Sequence, residues 1–292
     1  MHLNALLALA AAILWGGGDF SGGMGAKNAG GTMGGALRVI LVSHAASFAV
    51  LVAIARWRGD AFPHGAPLAW GIAAGVAGGI SLACFYVALS RGAMGASAAL
   101  SGLLAAAIPA AVSIASEGSP GLLRIVGFLV AGGAIWLIAA GPNAEAQSAD
   151  TGTIWLAVAA GIGFGIYFVS LKMAGVAGVV WPMATARIGS LSTCSLMLLG
   201  LSSSSRTTEL AQGRLNRTAV RWALTTALLD TSGNLLFIAA TRAGRLDVAA
   251  VLASLYPAST ILLAAWMLSE RPTRRQSLGM LVAAAAVVMI TL

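Results

Sequence analysis

The sequence predicts an all-α integral membrane protein of ten transmembrane helices, arranged as two inverted five-helix repeats around a central cavity. Three observations carry that prediction. Of 292 residues, 59% are hydrophobic and 9% charged, against about 25% charged in a soluble domain, so there is too little polar surface to cover a water-facing globule. Apolar stretches, each near the roughly 20 residues that cross a bilayer as a helix, follow one another along the whole chain. The two halves also repeat each other's landmarks at nearly constant spacing.

The stretches fall at about 3–23, 35–55, 67–89, 95–115, 121–141, 152–173, 180–201, 219–240, 247–268 and 274–292. Helices satisfy their own backbone hydrogen bonds and can therefore sit in lipid. A β-barrel would instead show alternating segments of about ten residues, and the sequence has none. Met1-His2-Leu3-Asn4 lacks the Lys or Arg that opens a cleaved signal peptide, so the first stretch is expected to remain as a helix. The joints are short. The longest is Ser202 to Arg217, and Pro142 to Thr151 lies at mid-chain. The second divides the chain into a first repeat over 1–141, a linker over 142–151 and a second repeat over 152–292.

The repeat is visible in order. Trp15-Gly16 matches Phe164-Gly165, Ser21 matches Ser170, and Arg38 matches Arg187. Tyr86-Val87-Ala88-Leu89-Ser90-Arg91 matches Phe237-Ile238-Ala239-Ala240-Thr241-Arg242. Glu117 and Pro120 correspond to Glu270 and Pro272, and Gly127-Phe128-Leu129 to Gly279-Met280-Leu281. An odd number of helices per repeat makes the second half enter from the opposite side. Inverted repeats that exchange conformations are a common plan of secondary transporters.

Trp15-Gly16-Gly17-Gly18-Asp19-Phe20 resembles the Trp-Gly-x-x-Asn-Phe pattern of the drug/metabolite transporter superfamily, EamA type. Ser269-Glu270-Arg271-Pro272-Thr273 after the ninth span fits it too, as do Arg38 and Arg187 near the starts of spans two and seven. The resemblance covers the whole chain and, within the family, is most like the bacterial aromatic amino-acid exporter. It implies a basket of helices with spans five and ten peripheral, both termini in the cytoplasm, and a place in the cell (inner) membrane. The residues agree on the periphery: span five has no charge from Ile125 to Ala140, and span ten no polar side chain between Gly279 and Ile290. Asp19 departs from the pattern, which has Asn there. The basic residues disagree on orientation. With a cytoplasmic first residue, the larger share of Lys and Arg falls outside, against the positive-inside rule.

A charge at the bilayer centre costs about 2.5–3.5 kcal/mol on insertion scales, so ionisable residues inside spans face a cavity or a partner. Asp19, His44, Arg187 and Asp230 are the candidates. Asp230, Asn234, Phe237 and Thr241 form one helical stripe, whose repeat counterpart is Gly79, Ala83, Tyr86 and Ser90. Trp15 and Asp19 face repeat partners Phe164 and Phe168. The expected substrate-binding set is Trp15, Asp19, His44, Tyr86, Phe168, Asp230, Asn234, Phe237 and Tyr256, with Pro109 and Pro257 as hinges or gates inside helices. Each has a plainer reading. The polar groups can be interhelical hydrogen bonds, Asp19 a solvated helix end, and the prolines static kinks. Arg38 and Arg187 can snorkel to the interface or meet a carboxylate. Gly71, Gly75 and Gly79, and Gly161 with Gly165, are spaced for close helix packing.

These features point to a transporter exporting small metabolites, amino acids first and aromatic ones among them, by alternating access. A proton-coupled exporter of drug-like cations, with Asp19 and Asp230 binding protons, is the alternative. An intramembrane aspartyl protease is remote. Gly16-Gly17-Gly18-Asp19 matches Gly-x-Gly-Asp, but the Tyr-Asp and Pro-Ala-Leu contexts are missing. A scramblase or channel is a further possibility. No catalytic residues, enzyme activity, cofactor or metal are expected: His2, His44 and His64 are scattered, and no Walker sequence occurs. Cys84 and Cys194 lie in apolar spans and do not suggest a disulfide. The net charge of +8 is spread over short loops, which suits lipid headgroups rather than nucleic acid. The expected partners are a small-molecule substrate and membrane lipid, with protons an open question. Monomer and homodimer both stay open.

Overall fold

The computed structural model describes residues 3–90, 94–139, 151–203, 215–267, 269 and 272–292. Eleven α-helices are seen among them: α1 (Leu3–Asn28), α2 (Met33–Trp57), α3 (Ala66–Ser90), α4 (Met94–Glu117), α5 (Leu122–Ala139), α6 (Thr151–Ala174), α7 (Val180–Ser203), α8 (Arg217–Ala243), α9 (Leu246–Ala253), α10 (Tyr256–Met267) and α11 (Arg274–Thr291). The described residues contain no strand. Among the described residues nine spans, with α9 and α10 counted together, are long and apolar enough to cross a membrane. The chain is a multi-pass membrane protein. In α11 the first turn is Arg274-Arg275-Gln276, which shortens its apolar run, yet it lies antiparallel along α5, with Gly127 against Ile290 and Gly279 against Ile138. All of the proposed linker except Thr151 lies outside the described residues, as do Glu270 and Arg271 of the post-span motif.

Helix starts follow local chemistry. A side-chain oxygen before the first turn satisfies an amide that has no partner in the helix. Thr32 accepts from the Gly35 amide at 3.0 Å, and Asn216 from the Ala219 amide at 2.7 Å. Thr273 and Gln276 form a reciprocal capping box, which sets where α11 begins.

The ninth span is not the continuous helix that its hydropathy predicts. In an unbroken helix Pro257 would collide with the Ala253 carbonyl and leave it without a donor. The chain instead ends α9 at Ala253, turns through Ser254 and Leu255, and restarts at Tyr256. Pro257 thus occupies the first turn of α10, where a missing amide proton is harmless. Pro109 does sit inside α4.

The two halves pack by the same rule. α1 lies on α8, and α6, its counterpart, lies on α3; α2 meets α7, and α5 and α11 pair at the outside. Small residues make these approaches possible. A Cβ on Gly75 would overlap the Ala186 carbonyl oxygen, one on Gly79 would sit 3.0 Å from Thr193 Cβ, and one on Gly165 would sit 2.7 Å from Ile108 Cβ. The glycine rows of α3 and α6 are therefore packing surfaces against α7 and α4.

Antiparallel succession gathers the start of α1 and the end of α11 on one face, termed here the terminal face. Asn4 meets Gly244 there, and Trp181 donates to the Asp60 carbonyl at 2.9 Å. At the opposite face Asn216 donates to the Asn28 carbonyl at 3.0 Å.

Candidate functional site

A cavity of about 380 Å³ lies between the two halves. α1 contributes Trp15, Asp19 and a row of glycines; α2 contributes Ser43 and His44; α3 contributes Gly75, Gly78, Leu82 and Phe85. From the second half come Phe164, Tyr167 and Phe168 of α6, Arg187 and Ser190 of α7, Asp230 and Asn234 of α8, and Tyr256 at the start of α10. The lining reaches Ala26 and Ala36, close to the opposite-face ends of α1 and α2, and a Cβ on Gly23 would meet nothing within 4 Å. The cavity therefore runs from mid-membrane toward the face opposite the termini.

Its deep end is aromatic. Trp15 stacks on Phe168 with centroids 5.2 Å apart and planes within 9°, and meets Tyr256 edge-on at 6.4 Å. Phe237 packs on Trp15 at 5.5 Å and on Phe168 at 4.8 Å but is fully buried. It stands behind the wall and holds the two rings that form it. Gly233 makes room for this cluster: a Cβ there would lie 2.6 Å from Trp15.

The polar wall is a connected network. Arg187, only 3% exposed, donates to Asp230 Oδ2 at 2.5 Å and to Thr231 Oγ1 at 2.9 Å. Tyr167 donates to Asn234 Oδ1 at 2.6 Å, and Asn234 Nδ2 donates to the Asp230 carbonyl at 2.8 Å. His44 Nδ1 and Ser190 Oγ share a hydrogen bond of 2.8 Å, and Ser190 also donates to the Arg187 carbonyl at 3.2 Å. Charge-assisted bonds such as Arg187 to Asp230 are the strong ones.

Asp19 differs from all of these. Its side chain is exposed along the cavity and makes no hydrogen bond or ion pair with any described residue. Gly18 packs its backbone directly on Asp230: a Cβ on Gly18 would lie 3.3 Å from Asp230 Cβ. The second carboxylate is therefore close, but it is already neutralised by Arg187. With Asp19 ionised, the wall carries one uncompensated negative charge.

Of the sequence-derived set, the structure brings Trp15, Asp19, His44, Phe168, Asp230, Asn234 and Tyr256 to one cavity. Phe237 stands behind it. The stripe on α8 divides: Asp230 and Asn234 face the cavity, whereas Thr241 is buried and bonds the Ile238 carbonyl. On α3 the lining face is Gly75, Gly78, Leu82 and Phe85 rather than the Gly79–Ala83 face, because Gly79 is used against Thr193 of α7. The side chains of Tyr86 and Ser90 lie outside the described residues. Arg187 meets a carboxylate instead of snorkelling to the interface. The wall also holds Tyr167, Ser190 and Arg187, which the expected substrate-binding set leaves out, although Arg187 was among the ionisable candidates. Tyr167 was findable, since it lies between Phe164 and Phe168 on α6.

Residues 151–292 match the model of the EamA-like transporter family. The second half of this multi-pass membrane protein is thus similar to an EamA-like transporter domain. No curated protein matches the chain. A solved crystal structure of a protein is similar over 99% of this chain and 96% of the other, with a TM-score of 0.73 and 15% identity, which shows a shared fold.

Proposed function

We propose that the chain is an alternating-access exporter of small amine-bearing metabolites, amino acids first and aromatic ones among them, in the cell (inner) membrane with both termini cytoplasmic. One observation carries this reading: the unpaired Asp19 faces a cavity that ends in Trp15, Phe168 and Tyr256. A substrate ammonium pairs with Asp19, and an apolar or aromatic side chain lies on the rings, which also attract cations through their faces. Asn234 Nδ2 keeps one hydrogen beyond its bond to the Asp230 carbonyl, a donor for a substrate carboxylate. The volume of about 380 Å³ is at the small end of ligand cavities, about 300–1,000 Å³. The EamA-like match and the two-halved packing support transport over catalysis.

A second reading has its own observation. The one uncompensated negative charge of the wall is neutralised by a cationic substrate or by a proton, which suits a proton-coupled exporter of drug-like cations. Asp19 then exchanges the proton, because Asp230 is held by Arg187.

The test is flux into liposomes containing the purified protein, with labelled Phe, Met and Thr, and separately a lipophilic organic cation, with and without a pH gradient. Amino-acid flux above empty liposomes supports the first reading. Cation flux that needs the gradient and is lost in Asp19→Asn supports the second. No flux of any probe by folded protein overturns both.

A further inference from the structure

Below the aromatic end of the cavity, the terminal face is closed by a cluster of charged side chains that takes no part in the site above. Lys172 near the end of α6 pairs with Glu117, the last residue of α4, whose other oxygen accepts from Ser113 at 3.1 Å. Arg245, just before α9, grips Asp247 through Nε at 3.1 Å and Nη2 at 2.7 Å. The same guanidinium donates to the carbonyls of Glu117 at 3.2 Å and Gly118 at 2.6 Å. Asp247 is fully buried, and its Oδ1 also accepts from the Val248 amide at 2.7 Å. α4 belongs to the first half and α6 and α9 to the second. The end of α4 is thus tied to α6 by one ion pair and to the start of α9 by two charge-assisted hydrogen bonds.

The repeat matches only part of this cluster on the other face: Glu270, the counterpart of Glu117, lies outside the described residues, and the partners of Glu117 have no charged counterpart. In the register that matches Trp15 with Phe164, Gly23 stands where the second half has Lys172. The stretch 92–98, Gly-Ala-Met-Gly-Ala-Ser-Ala, occupies the place of Arg245 and Asp247 and carries no charge. At these matched positions the charges of Lys172, Arg245 and Asp247 have no equivalent in the first half. α9 is one eight-residue helix, about 12 Å long. It joins the cluster to the Ser254–Leu255 break and to Tyr256 in the cavity.

We infer that Glu117, Lys172, Arg245 and Asp247 form a latch that keeps the terminal face closed and biases the protein toward the state open on the opposite face. This rests on the alternating-access reading but not on the identity of the substrate. When the latch opens, α9 carries the cavity end with it.

The experiment uses the full chain in sealed vesicles of each orientation. Ser254, 1% exposed, is replaced by Cys in a Cys84→Ala background. The fully buried Cys194 stays as a folding control. A membrane-impermeant maleimide is added at the terminal face. Glu117→Lys is expected to speed labelling of position 254 about fivefold, in keeping with a pair worth about 1 kcal/mol. The exchange Glu117→Lys with Lys172→Glu is expected to return it to within about twofold of the parent. If Glu117→Lys exposes Cys194, the uncharged pair Glu117→Gln with Lys172→Met replaces it, with the same acceleration expected. Unchanged labelling, or acceleration that the exchange does not reverse, overturns the latch. Faster labelling in a protein that transports none of the flux probes would leave the latch standing and defeat the proposed substrate classes instead.

Discussion

Arg187 and Asp230 offer the sharpest test of the site, because the two partners are buried unequally. Their atoms lie 2.5 Å apart, with side-chain exposures of 4% and 30%. Removing one partner of a buried ion pair costs about 3–5 kcal/mol, because the other charge is stranded. Asp230→Leu strands a guanidinium that cannot reach water and keeps only Thr231 as a partner, so the cost belongs at about 4–5 kcal/mol. Arg187→Met strands a carboxylate that cavity water still reaches, and about 2–3 kcal/mol is expected after discounting for that exposure. Replacing both removes the stranded charge, and the double variant should lose about 1 kcal/mol or less. At about 2 °C per kcal/mol for a chain of this length, thermal unfolding in detergent should fall by about 9, 5 and 2 °C respectively. The order matters more than the values. If the double variant loses the sum of the two single losses, the side chains are not a coupled pair and the network is misread. If both single variants lose less than about 1 kcal/mol, the pair behaves as a solvated surface pair.

Four further outcomes follow from the packing and the cavity. Gly75→Val should abolish folded protein on size-exclusion chromatography, since its Cβ would overlap the Ala186 carbonyl and lie 2.7 Å from the Ser190 amide; Gly133→Ala, with nothing within 4 Å, should be neutral or gain up to about 1 kcal/mol. Trp15→Ala should cost about 3–5 kcal/mol and release Phe168, whereas Trp15→Phe should keep most of the stability; denaturant midpoints check both. Pro257→Ala removes the ring that forces the α9–α10 break, so the melting temperature should hold or rise while flux falls; a fall in melting temperature with flux unchanged would refute the hinge. A tag after Leu292 should be reached only from the cytoplasmic side of intact cells, and access from outside would reverse the assignment of both faces.

Much of the fold was legible because lipid leaves the chain few choices. A span must be apolar, about 20 residues long and helical, so hydropathy located the helices to within a few residues at most ends. It could not see the break at Ser254–Leu255, because Pro109 and Pro257 look alike in a hydropathy profile. One is absorbed inside α4 and the other restarts a helix. Helical spacing put Asp230 with Asn234 and Trp15 with Asp19, and both pairs reach the cavity. It failed one turn further on. Phe237 keeps the same stripe but is covered by Trp15 and Phe168, which come from other helices.

What the sequence alone determined is the set of expensive groups: ionisable residues in apolar spans, which must find water or a partner, and glycines spaced for close packing. What only the tertiary structure decided is which partner each one found. Arg187 and Asp230 lie 43 residues apart and Tyr167 and Asn234 lie 67 apart, and they bond because α6, α7 and α8 converge on one cavity. Asp19 entered the same cavity without a partner among the described residues. Charge and polarity belong to each residue and can be read one position at a time. Pairing depends on crossing angles and contact rows between helices distant in sequence, and these exist only once the whole bundle has formed.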